Sequence, residues 1–138
     1  MRILHLLLVF FSGYFAQAQA LAGTWKTNAV FTYNIQEYYV LTPANTTEEA
    51  SKMERYGSFV VFSEDDTFQS YYTAPCGNDC FTTTDGTYEY LDKNTVKLTL
   101  HRLHQSGMCQ DAQNKKVVLG VFDIVQNKEG TRLVKRKV

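Results

Sequence analysis

The most reactive side chains of the sequence are three cysteines, Cys76, Cys80 and Cys109. In an oxidising compartment, two of them form a disulfide, which typically stabilises a fold by about 2–4 kcal/mol. We expect Cys109 to pair with Cys80 or Cys76, with Cα atoms about 4.4–6.8 Å apart. The alternative is a Zn²⁺ or Cu⁺ site completed by His104, but the spacing matches no standard zinc finger. We therefore predict a disulfide, one unpaired thiol, no metal site and no cofactor.

Residues of the types used in acid–base catalysis are present but poorly arranged. His104, Ser106 and Asp111 are close in sequence, yet no nucleophile-elbow pattern accompanies them. His101 and His104 are three residues apart, a spacing that puts side chains on opposite faces of a strand. We predict no catalytic residues and no enzymatic activity.

The composition narrows the class of protein. Of the 138 residues, 44% are hydrophobic and 20% charged, a balance typical of a globular domain and not of a disordered chain. Equal numbers of basic and acidic residues, 14 of each, provide no cationic surface for nucleic acid. Nine Tyr, nine Phe and only two Pro favour β-structure, because aromatic side chains pack well on a sheet and Pro interrupts its hydrogen bonds.

Residues 1–20 have the pattern of a secretory signal peptide. An apolar run from Ile3 to Phe11 is followed by Ala18-Gln19-Ala20, which is an A-x-A cleavage motif. The run is shorter than the ~18 residues that a membrane-spanning helix needs. We therefore predict no transmembrane span and a secreted or periplasmic domain over residues 21–138, a length that suffices for one core.

The domain reads as a succession of strands and turns. A first segment alternates in polarity and places these residues on one face: Trp25, Thr27, Ala29, Phe31 and Tyr33. A short surface helix is predicted from Thr46 or Thr47 to about Arg55, with Ala50 and Met53 able to dock. Further strands are predicted over 57–63, 67–73, 87–91, 95–103, 117–126 and 131–138, and Asp85-Gly86 opens the third of them.

With the first segment counted as two strands, the pattern gives eight. Short strands at this spacing, without βαβ alternation, indicate an all-β barrel or sandwich. We predict an antiparallel up-and-down β-barrel of about eight strands with one short surface helix. If the last six strands form a meander, the connections 74–85 and 104–116 emerge at the same end, together with all three cysteines.

The triplet Gly23-Thr24-Trp25, directly after the signal peptide, resembles the Gly-x-Trp that opens lipocalins and small lipocalin-like (calycin-type) domains secreted by bacteria. The resemblance implies that Trp25 closes one end of a barrel and that an arginine of the last strand stacks over it. Arg132 and Arg136 are the matching candidates, and such a cation–π contact contributes about 0.5–2 kcal/mol. The chain is short for a lipocalin and lacks the usual helix after the last strand.

The residues suggest two functions. The first is binding of a small hydrophobic molecule in the barrel, with these lining residues: Tyr72, Tyr88, Tyr90 and Arg102. Arg102 shares a predicted face with Leu98 and Leu100, and it could neutralise a ligand carboxylate if that face points inward. The alternative is a protein-interaction or inhibitor module that acts through the rim connections 74–85 and 104–116. Neither the ligand nor the oligomeric state follows from the sequence.

Overall fold

The computed structural model describes residues 21–138, so the predicted signal peptide lies outside the described residues. Nine strands and one short helix form this part of the chain. In chain order they are β1 (Gly23–Thr27), β2 (Tyr38–Pro43), α1 (Lys52–Arg55), β3 (Gly57–Phe62), β4 (Thr67–Thr73), β5 (Cys80–Asp92), β6 (Thr95–Gly107), β7 (Asp111–Gln113), β8 (Val117–Asn127) and β9 (Gly130–Lys135). Within residues 21–138, no helix is long and apolar enough to cross a membrane.

Eight of the strands close into an antiparallel barrel, which confirms the predicted fold class. Around the barrel the order is β1-β3-β4-β5-β6-β8-β9-β2, and β7 pairs only with β6. The last six barrel strands form the predicted meander. The first two strands depart from sequence order, because β1 lies between β2 and β3. Since β2 and β3 are then parallel, the connection between them must run the length of the barrel.

That connection, residues 44–56, forms a strap across the outside of β1. It begins at Ala44, whose N–H donates to Thr24 O at 3.0 Å, and it is held further along by the Lys26 ammonium, which donates to Met53 O. Beneath it, Phe59 is buried on the outer face of β3 and stacks on Tyr71, with ring centroids 5.5 Å apart. The strap therefore covers an aromatic pair that would otherwise face solvent.

The helix of the strap is shorter than predicted. It spans Lys52–Arg55 and starts at a capping box, in which Ser51 and Glu54 each accept a hydrogen bond from the other's backbone N–H. Ala50 is buried as expected, but Met53 is 84% exposed and does not dock. The helix starts at Ser51 and not at Thr46 or Thr47, because the capping box that forms in the structure is the one between Ser51 and Glu54.

Glu54 makes the order of the strap dependent on pH. Hydrogen bonds from Asn45, and then from Ser51, lower the pKa of Glu54 below its ordinary value. A lowered folded-state pKa means that the stabilisation is present above the unfolded pKa and is lost as pH falls through the folded one. We expect the amide-exchange protection factors of residues 51–56 to fall on acidification through this range. In Glu54→Gln the pH dependence should be absent, and an unchanged profile in that variant would contradict the assignment.

The barrel interior is filled by side chains. The inward faces of the strands supply a cluster whose largest members are fully buried: Tyr39, Phe62, Phe122, Leu41, Leu98, Leu100, Leu119, Leu133, Val60 and Val96. These side chains have 0–1% of their surface exposed, so they border no internal space large enough for a water molecule. The interior is packed like an ordinary protein core.

Phe31 enters this core from a loop and not from a strand. β1 ends at Thr27, and residues 28–37 turn into the mouth of the barrel, where Phe31 is 0% exposed. The predicted continuous strand from Trp25 to Tyr33 is therefore wrong beyond Thr27. The loop backbone satisfies its polar groups on buried side chains, because Phe31 N–H donates to Ser70 Oγ at 3.1 Å and Thr84 Oγ1 donates to Phe31 O at 2.7 Å.

Candidate functional site

The two ends of the barrel differ in construction. One end, called here the hairpin end, carries the tight connections 63–66, 93–94 and 128–129. The other end, called here the rim, carries the longer connections 28–37, 74–79 and 108–116. Strands β5 and β6 extend into the predicted rim loops, since Cys80 pairs with Gly107 and Asp85 with Arg102. The expected loops 74–85 and 104–116 are thus partly strand, although they do lie together at one end.

The cysteines are at the rim, as predicted. Cys80 and Cys109 form a disulfide with a Cα–Cα distance of 4.9 Å, and Cys76 is free and exposed. The pairing of Cys109 with one of the two earlier cysteines is confirmed. The disulfide uses the thiols of Cys80 and Cys109, which are two of the four ligands of the alternative metal site. The four residues therefore do not form a metal centre together. Within residues 21–138, no group of three or more His, Cys, Asp or Glu is placed to hold a metal ion.

Asp79 connects three parts of the chain that meet at the rim. Its carboxylate accepts hydrogen bonds from the Tyr72 hydroxyl at 2.9 Å and from the Cys80 N–H at 2.8 Å. Its carbonyl accepts from the N–H of Met108 at 3.1 Å. The hydrogen bond to Asp79 is the main cause that raises the pKa of Tyr72 above its ordinary value. Asp79 therefore fastens β4 and the 108–110 turn to the start of β5.

Gly107 allows that close approach. Its φ is +78°, and a Cβ at this position would lie 2.1 Å from Asp79 O and 2.8 Å from the Phe81 ring. Any side chain would push the turn away from Asp79. The next residue, Met108, is 73% exposed at the tip of the rim. The result is an apolar side chain displayed on a turn that a disulfide, a glycine and a backbone hydrogen bond hold in place.

A cleft of about 270 Å³ lies at the rim, between the 28–37 loop and the parts of β5, β6 and β7 nearest the rim. Hydroxyl and amide groups dominate its walls, which are lined by Thr32, Tyr33, Asn34, Thr82, Leu103, Gln105, Asp111 and Gln113. The Tyr33 hydroxyl donates to Lys115 O at 2.8 Å and joins the loop to the segment after β7. This lining can both donate and accept hydrogen bonds, and the buried Leu103 gives the cleft an apolar base.

The four residues predicted to line a ligand cavity are not brought together. Tyr88 and Tyr90 lie near the hairpin end with rings 5.8 Å apart, and the Tyr88 hydroxyl donates to Ser63 O at 2.6 Å. Tyr72 belongs to the rim. Arg102 points outward, with its guanidinium 3.0 Å from Asp85. These positions make Tyr88 part of the core and Arg102 a surface ion pair.

A β-bulge explains the orientation of Arg102. Opposite β5, the register of β6 skips from Arg102 to Leu100, so His101 is an extra residue. Leu100 and Leu103 are both buried, and Arg102 is turned to the outside. The bulge also puts His101 and His104 on the outer face together, so the expectation of opposite faces is wrong. The three-residue spacing from Leu100 to Leu103, after strict alternation, was the signal in the sequence.

The tryptophan and the two arginines occupy different environments. Trp25 packs against the core and donates its indole N–H to Leu21 O at 2.7 Å. In place of the expected stack on Trp25, Arg132 lies 5.9 Å from the ring of Tyr38, and Arg136 pairs with Asp123 at 2.8 Å. The reason is strand alternation, because Leu133 points inward and its neighbour Arg132 therefore points outward.

Leu21 helps to close the hairpin end. It is 1% exposed, and its N–H donates to the Tyr90 hydroxyl at 2.8 Å. Gly23 begins β1 two residues later. The closing contacts at this end thus come from the first described residue together with Trp25 and Tyr90.

No protein-family model matches the chain, and neither a curated protein nor a solved structure is significantly similar to it.

Proposed function

We propose that the chain is an exported, non-catalytic protein-interaction module that binds a partner protein through its rim. The observation that carries the proposal is the filled barrel. Phe31 occupies the mouth, and the surrounding side chains leave no water-sized space beside them. A small hydrophobic ligand would need the core to be displaced, whereas a protein partner needs only the surface.

The rim has the properties that such a surface needs. It presents the exposed Met108 and, at the same end of the barrel, a cleft rich in hydrogen-bonding groups. Interface anchors are large side chains that fill a partner's pocket, and a preorganised anchor loses little conformational freedom on binding. The disulfide and Asp79 supply that preorganisation, and a disulfide also suits an exported chain.

Site-specific photo-crosslinking tests the proposal. A photoreactive amino acid placed at position 108 should give a discrete protein adduct in cells that naturally produce the chain. The matched control is position 91, because Leu91 is also an exposed apolar residue, at 50%, but lies on β5 near the hairpin end. We expect adducts at 108 and none at 91.

Equal adducts at both positions would indicate non-specific contact and would contradict the proposal. Native mass spectrometry of the untagged chain supplies the second measurement. A stoichiometric small-molecule mass, without any protein adduct at position 108, would instead favour the ligand-binding hypothesis.

A further inference from the structure

Cys76 is a free thiol that takes no part in the disulfide of the rim. It is exposed, it is outside the disulfide, and it lies four residues before the half-cystine Cys80. Gly77 and Asn78, which separate it from Asp79, are also exposed, and Gly77 has open space around its Cα. This segment is therefore free to bend without displacing a packed side chain.

Cys76 and Cys80 lie in the same stretch of the rim, on either side of Asp79 in the sequence. The carboxylate of Asp79 accepts hydrogen bonds from the Cys80 N–H at 2.8 Å and from the Tyr72 hydroxyl at 2.9 Å. A free thiol and one sulfur of the disulfide therefore lie only four positions apart in the same segment of the rim. Because only three residues separate them, the entropic cost of bringing them together is low.

We propose that Cys76 exchanges with the Cys80–Cys109 disulfide inside the folded chain. The Cys76 thiol gives its proton to solvent, and the thiolate attacks Cys80 Sγ. The Cys80–Cys109 bond breaks as the Cys76–Cys80 bond forms, and the Cys109 thiolate then takes up a proton. One disulfide is lost and one is gained, so no oxidant or reductant is consumed.

The exchange would loosen one side of the rim. The Cys80–Cys109 bond joins residues 29 positions apart, whereas the new bond would join residues four positions apart. The 108–116 segment would then have no covalent cross-link to β5. That segment would keep the Met108–Asp79 hydrogen bond, the three residue pairs of β7 with β6, and the Tyr33–Lys115 hydrogen bond. Regulation of partner binding by this step rests on the proposed function, but the exchange itself does not.

Thiol mapping tests the exchange directly. Folded wild-type protein, purified without reductant, is incubated at pH 8, and its free thiols are trapped with N-ethylmaleimide. Cleavage on the amino side of aspartates then separates all three cysteines, because Asp79 lies between Cys76 and Cys80 and Asp85 precedes Cys109. We expect label on both Cys76 and Cys109, with labelling of Cys109 at least about tenfold above that in Cys76→Ser, which has no attacking thiol.

A second variant measures whether the new bond can form. In Cys109→Ser, oxidation of the folded chain should give a Cys76–Cys80 disulfide within the monomer. Wild-type label confined to Cys76 would overturn the proposal, and so would a Cys109 label that depends on protein concentration, since that indicates exchange between molecules. These results need no partner, so they are independent of the crosslinking at position 108.

Discussion

Replacing Phe31 by Ala should destabilise the fold by about 3–5 kcal/mol, which is the range for removing a fully buried phenylalanine. The ring contacts Tyr39 at 4.2 Å, Phe68 at 5.5 Å and Phe62 at 6.1 Å between centroids. All three neighbours lie on strands of the barrel, so they have little freedom to collapse into the vacated space. Chemical denaturation of the wild type and the variant measures the difference.

Phe81→Ala is the matched control. Phe81 is partly exposed at the rim and stacks on Tyr72 at 6.4 Å, outside the buried core. Its truncation should cost clearly less than that of Phe31 because less apolar surface returns to water. Equal losses in the two variants would contradict the role of Phe31 as the plug of the barrel mouth.

Phe31→Ala also separates the two functional hypotheses, ligand binding in the barrel and partner binding at the rim. An apolar cavity left by a missing ring stays dry and accepts small aromatic molecules. Benzene or toluene should therefore raise the melting temperature of Phe31→Ala and leave that of the wild type unchanged. A wild-type shift as large as that of the variant would mean that the native barrel has room for a hydrophobic ligand, and the rim proposal would lose its main support.

Much of the fold follows from patterning along the sequence. Alternation identified the meander strands, and the reversal of direction at each turn brought Cys80 and Cys109 to one end. The position of Phe31 did not follow, because its spacing from Trp25 continues the period of a strand. Only the partners Ser70 and Thr84, which are 39 and 53 residues away, make a buried loop backbone tolerable there.

The residues at candidate sites were harder to place than the strands. A single bulge at His101 reversed the orientation of Arg102, because every residue beyond a bulge changes face. The order of β1 and β2 was also beyond local patterning, since antiparallel pairing is possible on either side of β1. The choice depends on the strap, which is held by contacts with β1 and covers the Phe59–Tyr71 pair, and these are tertiary features.

Asp85-Gly86 was predicted to open a strand at Thr87, and the structure places it in the middle of β5 instead. Asp-Gly is a strong turn signal because glycine adopts conformations closed to other residues. Here a glycine is needed for a different reason, because neighbouring atoms lie too close to Gly86 to leave room for a side chain. Gly86 pairs with Phe68 and lies at the register shift opposite Leu100, and the Phe68 ring occupies the space that a side chain would take.

Gly86→Ala should therefore be among the most damaging single substitutions in the chain. A Cβ would lie 2.2 Å from Thr99 O and 2.5 Å from the Phe68 ring. The phenylalanine can rotate, but the carbonyl belongs to the backbone of β6 and can move only with the strand. We expect a loss of at least about 3 kcal/mol, at the upper end of the cost of overpacking a core. Thermal and urea denaturation would measure it.

Two comparisons show whether the backbone contact is responsible. Gly77→Ala places a methyl group in open space, so its stability should stay within about 0.5 kcal/mol of the wild type. Phe68→Ala combined with Gly86→Ala removes the ring but leaves Thr99 O in place. Because the carbonyl still opposes the new methyl, the double variant should be clearly less stable than Phe68→Ala alone. Equal stability of these two variants would assign the clash to the ring and refute the backbone explanation.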